Sequence, residues 1–291
     1  MDEPTLRKFL DATQSIYGPI ELSTIDIPPI GQFLYNRSPS WTPPLLTEGG
    51  GRYLWTDAFG VVNFLTLFKS TGDRRYLIFA ADLITAVHES LGRTRDHTRR
   101  LPGATDKSPL GGGLRIGKKD ENGQDGDGQY YHYLTLWMFA LNRMAVATGQ
   151  EWYNKQAIAL ARSIHDKFIY KRHSSRPRMN WKMSIDLSRP LAICDRNLDS
   201  ITGYLTLRLL KRTSDQMHLG CKGNELDEEL QDYLKMVDMQ WGAYRSRDTL
   251  DIGMILWLGH SSLVCQKEDW PRVLCERMLK YLGMLYIPLS L

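Results

Sequence analysis

Two stretches of this chain repeat each other 77 residues apart. Thr71-Gly72-Asp73-Arg74-Arg75-Tyr76 corresponds to Thr148-Gly149-Gln150-Glu151-Trp152-Tyr153. Beyond them Ala80 matches Ala157, Leu83 matches Leu160 and His88 matches His165. Each copy joins a very apolar helix to an amphipathic one. A repeat of this kind fixes architecture before any motif is considered, because a unit that cannot bury its apolar face alone must stack on its neighbours. The expectation is an all-α fold of stacked helical hairpins.

The first inner helix opens near Asp57 and runs through Val61, Val62, Phe64, Leu65, Leu67 and Phe68. The turn at Thr71-Gly72-Asp73 ends it, and an outer helix follows from about Arg74 to Leu91. The second inner helix is expected from Gln129 to Thr148; its middle, Leu134 to Leu141, is apolar nearly all round and so buried on both sides. Its partner, Glu151 to Phe168, turns Ala157, Leu160, Ala161 and Ile164 inward and Lys155, Arg162 and Asp166 outward. A third hairpin starts at Asp199 and returns from Glu225 to Met239. A fourth starts near Asp251 and returns from Trp270 to Leu285.

An amphipathic helix from Glu3 to Ser15 precedes all of this. Between Gly18 and Leu54, Pro19, Pro28, Pro29, Pro39, Pro43 and Pro44 forbid long helices, so this stretch reads as an extended wrapping segment. The expected organisation is one unit over residues 1–291, with 1–54 forming the helix and wrap and 55–291 the hairpins. Two long loops interrupt the helices. One, Gly92 to Gly128, carries Gly111-Gly112-Gly113 and the aspartates 120, 125 and 127. The other, Arg176 to Pro190, has strand character from Met179 to Leu187, a short β excursion.

Three motifs in and beside these loops carry a family resemblance: Leu114-Arg115-Ile116-Gly117-Lys118, the run Asp127-Gly128-Gln129-Tyr130-Tyr131-His132-Tyr133-Leu134-Thr135, and Trp181-Lys182-Met183-Ser184-Ile185-Asp186-Leu187-Ser188-Arg189-Pro190. With the hairpins, they make the chain from Trp55 to Tyr286 resemble an uncharacterised microbial branch of the α/α-toroid (six-hairpin glycosidase-like) superfamily, which includes glycoside hydrolases, sugar epimerases and protein-modifying cyclases. The stretch Cys194-Asp195-Arg196-Asn197-Leu198-Asp199 lacks histidines that the branch would place there. The chain is short for six hairpins, so the resemblance implies an incomplete toroid.

In such a toroid the starts of the inner helices share one end, a mouth where loops converge and a pocket forms. Asp57, Asp127, Asp199 and Asp251 lie at these starts. Each has two readings: an N-cap, which Asp favours, or an acid or base in the pocket. Asp127, Tyr130, Tyr131 and His132 form the densest cluster, with Asp127 and Tyr131 expected on one helical face and Gln129, His132 and Tyr133 on the next. The candidate catalytic residues are Asp127, Tyr131, His132, Asp57 and Asp199. The candidate substrate-binding residues are Trp55, Arg115, Gln129, Tyr130, Trp181, Lys182, Asp186, Arg189 and Asp251. An internal Lys182–Asp186 or Asp186–Arg189 pair is the competing account of the second loop, and Trp41 and Trp55 either line the mouth or pack. His88 and His165 read as structural.

The net charge of +4 is mild and its densest run, Arg93, Arg95, His97, Arg99 and Arg100, lacks any nucleic-acid signature. No apolar run spans a membrane or makes a secretory signal. Cys194, Cys221, Cys265 and Cys275 have no metal or redox spacing. There is no phosphate loop, HExxH helix, GxSxG elbow, DDxxD or DxDD motif, or complete EF-hand. The expectation is thus a cytoplasmic protein with a small-molecule substrate, no metal or cofactor, and neither a nucleic-acid nor a membrane partner.

Three functions stay open. One is a cofactor-free enzyme that cyclises or isomerises a small, largely apolar molecule, for example by an intramolecular cycloaddition in natural-product biosynthesis. A second is a glycoside hydrolase or sugar epimerase using paired mouth aspartates; a hydrolase needs its carboxylates roughly 5–5.5 or 6.5–9.5 Å apart. The third is a non-catalytic helical scaffold.

Overall fold

The computed structural model describes residues 1–28, 34–46, 51–121, 123, 125–192, 198–217, 226–260 and 268–286. Pro29, Cys194 to Asn197, Cys221, Glu225 and Cys265 lie outside the described residues. Helix α1 covers Glu3–Tyr17, with Asp2 capping it through the Thr5 amide. Four hairpins follow: α2 (Leu54–Thr71) with α3 (Arg75–Ser90), α4 (Tyr131–Thr148) with α5 (Glu151–Phe168), α6 (Leu198–Gln216) with α7 (Asp227–Gln240), and α8 (Thr249–His260) with α9 (Trp270–Tyr286). The inner helices α2, α4, α6 and α8 pack each on the next, and each outer helix lies against its own partner. This is the α/α-toroid fold expected from the repeat.

The repeat is one turn used twice. Gly72 and Gly149 both end an inner helix in the left-handed region, at φ 75° and 69°, which favours glycine because a Cβ would clash there. Before each, a threonine hydroxyl donates to a carbonyl four residues back, Thr71 to Leu67 at 2.8 Å and Thr148 to Met144 at 2.7 Å. The same hydroxyls accept the amides of Asp73 and Gln150. Thus the chain reverses identically in both copies. The residues that pack beyond the turn, Tyr76 and Tyr153, Ala80 and Ala157, Leu83 and Leu160, are all buried.

The proline-rich segment wraps the outer side of the first hairpin. Asp82 on α3 accepts the Ser40 and Trp41 amides and pairs with Arg37. Trp41 thereby packs its ring against Phe64 and Phe79, at 5.7 and 5.0 Å between centroids, and does not line the mouth. Arg52 donates to the Pro43 and Pro44 carbonyls and forks onto Asp57 of α2, tying the end of the wrap to the first inner helix.

Short strands organise the long loops. β1 (Gln129–Tyr130), β4 (Lys182–Met183) and β5 (Pro190–Ala192) form one antiparallel sheet, in which Gln129 faces Met183 and Tyr130 faces Lys182. β2 (Ile169–Tyr170) pairs with β3 (Arg178–Met179) in a second. The first sheet corrects an expectation. Residues 129–130 form a strand and α4 begins only at Tyr131, so Asp127 and Gln129 are not on its faces. Pairing with the second loop outcompetes a helical extension that the side-chain spacing alone would allow.

His88, on α3, is buried and accepts the Trp137 indole N–H of α4 at 3.2 Å. Its Nε2 is the acceptor, so the neutral ring carries its proton on Nδ1. Burial pushes this imidazole down to about 3. The unfolded chain takes up the proton near 6.5, so His88 contributes full stability above that pH and loses it as pH falls toward the folded value. The urea unfolding free energy should drop by about 2 kcal/mol on this account between pH 7 and pH 5. A His88→Gln variant should show a smaller drop, by that amount; equal drops in the two proteins would refute the assignment.

Candidate functional site

None of the four aspartates occupies an N-cap position. Asp57 is the fourth residue of α2, whose cap is Tyr53. It is fully buried, with Arg52 Nε and Nη2 at 2.7 and 2.6 Å and the Tyr17 hydroxyl at 3.3 Å. Burial raises its carboxyl and Arg52 opposes the shift. Asp251 is the third residue of α8 and accepts the Tyr244 and Ser246 hydroxyls, both at 2.9 Å. The cap of α8 is Asp248, which takes the Leu250 amide at 2.8 Å.

Asp127 is a hub. Its Oδ2 accepts Arg95 Nη1 at 2.9 Å and Arg115 Nη1 at 2.7 Å. Its Oδ1 accepts the amides of Gly117 and Gly128 at 3.0 Å and Lys118 at 3.3 Å. Arg115 also donates to the Arg93 and Ser90 carbonyls, and Arg95 to those of Lys118 and Lys119. With its oxygens ringed by donors, this buried carboxylate has the surroundings of a clamp rather than of an acid or base. Gln129 is the second strut. Its amide accepts the Leu114 N–H at 2.9 Å and donates to the carbonyls of Gly112 and Ile185 at 2.9 and 2.7 Å.

The three sequence motifs are therefore one platform. Ile116 N–H donates to the Gly128 carbonyl, Leu54 N–H to the Ile116 carbonyl and Tyr131 N–H to the Trp181 carbonyl. Gly117, at φ +87°, passes so close to residue 52 that a Cβ would stand 1.9 Å from the Arg52 oxygen. Lys182 is buried, donates to the Gly126 carbonyl at 2.8 Å and lies over the Tyr130 ring at 5.0 Å; burial lowers its ammonium pKa. Asp186 forms neither expected ion pair. It closes a local turn by accepting the Ser184 hydroxyl and the Ser188 amide and hydroxyl, which hold its carboxyl low. Asp186 and Arg189 instead line a polar cleft of about 590 Å³ between the two long loops, together with Arg95, Asp96 and Glu121.

On the mouth side of the platform stands an aromatic group. The Trp55 ring lies 5.7 Å from His132 and 4.9 Å from Tyr133, and Tyr130 lies 5.8 Å from His132 and 5.0 Å from Trp181. The Tyr53 and Tyr133 hydroxyls share a 2.6 Å hydrogen bond. Burial pushes Tyr130 up to about 12 and Tyr133 higher still, so both stay protonated at neutral pH. His132 Nδ1 is 4.0 Å from Asp199 Oδ1, which brings together the second residues of the adjacent helices α4 and α6. Tyr131 turns the other way: its fully buried ring packs on Phe168 and Tyr233. Neighbours on a helix point about 100° apart, so one faces the mouth when the other enters the core.

Of the expected site residues, Trp55, Tyr130, His132, Trp181 and Asp199 come together, with Lys182 behind Tyr130. Asp57, Arg115, Asp127, Gln129 and Tyr131 are embedded in packing or in the platform, while Asp186, Arg189 and Asp251 lie apart from the aromatic group's ring contacts. Sequence reasoning missed Arg52, Arg95 and Tyr53. Tyr53 immediately precedes the first inner helix as Tyr130 precedes the second, a correspondence the 77-residue repeat contains. Among the described residues, no three His, Cys, Asp or Glu side chains are grouped to hold a metal ion, and no helix is long and apolar enough to cross a membrane.

Among solved structures, the chain is similar to a cellobiose 2-epimerase from Bacillus thermoamylovorans, with a TM-score of 0.55 at 10% sequence identity. The likeness covers 83% of this chain and 64% of that one, so the chain spans less than two thirds of that protein's length. At this identity the likeness establishes the fold alone, and it is the α/α toroid of the six-hairpin glycosidase-like kind. No protein-family model and no curated protein sequence matches the chain.

Asp127→Asn should lower stability by about 3 kcal/mol, because it leaves the buried Arg115 guanidinium and the partly exposed Arg95 facing a neutral amide. Chemical denaturation measures this; a loss below about 1 kcal/mol would contradict the clamp role.

Proposed function

We propose that the chain is an isomerase of the sugar-epimerase kind, working at the mouth with His132 as its proton-transferring group. The observation that carries this reading is the His132–Asp199 pair, set among Trp55, Tyr130 and Tyr133 where two inner helices begin. The epimerase-like fold supports it by analogy.

Epimerisation beside a carbonyl removes a proton from carbon and returns it on the opposite face. The base must sit within reach of that carbon, and its conjugate acid must be stabilised. Asp199, 4.0 Å from Nδ1, is placed to offset the charge that the ring gains on taking the proton, and we assign the transfer to Nε2, the nitrogen on the far side of the ring. As the proton leaves, negative charge develops on the former carbonyl oxygen. The Tyr133 hydroxyl stays protonated and, in its pair with Tyr53, is placed as a donor for that oxygen. Trp55 and Trp181 offer apolar faces for a sugar ring.

Two wider expectations lose ground. Of the four aspartates open to paired-carboxylate hydrolysis, Asp57 and Asp127 are neutralised by arginines and Asp251 is tied to the Tyr244 and Ser246 hydroxyls, which leaves Asp199. Cyclisation of an apolar substrate has no observation in its favour, since the aromatic walls here carry hydroxyls and an imidazole.

The test is a panel of aldoses and reducing disaccharides incubated in D2O and followed by proton NMR. The expected result is a new epimer with deuterium at the inverted carbon. His132→Ala should cut kcat about 10²–10⁴-fold at unchanged thermal stability, and Trp181→Ala should mainly raise KM. Full turnover by His132→Ala, or an epimer formed without solvent deuterium, would overturn the assignment.

A further inference from the structure

A second cleft lies at the opposite end of the inner helices from the mouth. Its volume is about 400 Å³, and its walls are Val62, Leu65 and Phe68 of α2 with Phe139, Val146 and Ala147 of α4. Above it, on the mouth side, Trp257 of α8 touches Phe59 and Phe139 at 5.3 and 5.8 Å. Val146 is 49% exposed, so the apolar walls open to solvent.

The polar part of this cleft is cationic. Arg143 and Lys69 line it. The Arg143 guanidinium lies over the Phe139 ring at 5.6 Å, and its Nε and Nη2 donate to the Asn142 amide oxygen. Among the described residues no carboxylate stands within ion-pair distance of Arg143. A second guanidinium belongs to the adjoining helix: Asn142 donates to Thr213 of α6 at 2.8 Å, and Arg212 precedes that threonine. Burial and the charge of Arg212 both depress the Arg143 pKa. A bound anion would offset the repulsion between the two cations.

We infer that this cleft binds a small amphipathic organic anion, with its apolar body between α2 and α4 and its acid group on Arg143. The volume is at the small end of ligand pockets, which suits a chain or ring of modest size. A guanidinium favours a carboxylate head because its paired N–H groups match the two oxygens. This site is independent of the mouth chemistry and stands whether or not that reading does.

Octanoate is the probe, measured by isothermal titration calorimetry below its micelle concentration, with octylammonium and octan-1-ol as comparators. Octanoate should bind one to one, octan-1-ol more weakly, and octylammonium not at all. Arg143→Gln should weaken octanoate by about tenfold or more while leaving octan-1-ol unchanged, and Arg143→Lys should keep most of the affinity. Ala147→Leu, which fills the apolar walls and leaves Arg143 in place, should weaken both ligands. Absence of saturable octanoate binding, equal binding of octylammonium, or unchanged octanoate affinity in a folded Arg143→Gln protein would each overturn the inference.

Discussion

The candidate site depends on one buried carboxylate. Asp127 collects two guanidinium groups and three backbone amides, and those donors come from three places in the long loop. An ionised group in the interior is tolerable only when its lone pairs are satisfied. Here that requirement fixes the loop: Gly117 must approach residue 52 closely, Gly128 must pass close to residue 183, and Arg115 must reach across. From that geometry follow the position of β1, the start of α4 and the direction in which His132 points. The three motifs sit in or beside the loops, yet much of what they encode is the inside of a clamp.

The barrel around it has a different origin. Its hairpins come from apolar periodicity and from a turn chemistry that recurs at Thr71-Gly72 and Thr148-Gly149. Both are local, so both copies adopt the same shape. The wrap is held by contacts with the first hairpin, Arg37 to Asp82 and Arg52 to Asp57, which put two arginines at the joints between segments. Buried ion pairs of this kind add little net stability against apolar alternatives; what they supply here is a defined path for a segment that its prolines keep from forming long helices.

The two ends of the inner helices differ in character. At the mouth, hydroxyls and an imidazole stand among aromatic rings, and the charged groups there have partners. At the far end, apolar walls meet the cations of Lys69 and Arg143 on neighbouring helices. The functions proposed above use one end for proton movement on a polar substrate and the other for holding an anion with an apolar body. The separation is a direct result of how a toroid stacks, since α2 and α4 each contribute residues near their amino ends to one site and residues nearer their carboxyl ends to the other.

The sequence alone determined the hairpins. The 77-residue echo, the apolar middle of α4 and the clean alternation of α5 place those elements nearly to the residue, because helix periodicity and glycine turns are local physics. The same reasoning put His88 on an outer helix, where it meets Trp137. The fate of the aspartates was beyond it. Asp57 and Asp127 look alike beside Asp199 in a linear reading, and they differ only through Arg52, Arg95 and Arg115, which the fold brings up from elsewhere. Nor could spacing show that Tyr131 enters the core while His132 faces the mouth, because the helix start was moved by a strand pair with residues 182–183. Local propensity shaped each element; which charges meet, and hence which carboxylates keep their chemistry, was decided by long-range contacts that only the tertiary structure supplies.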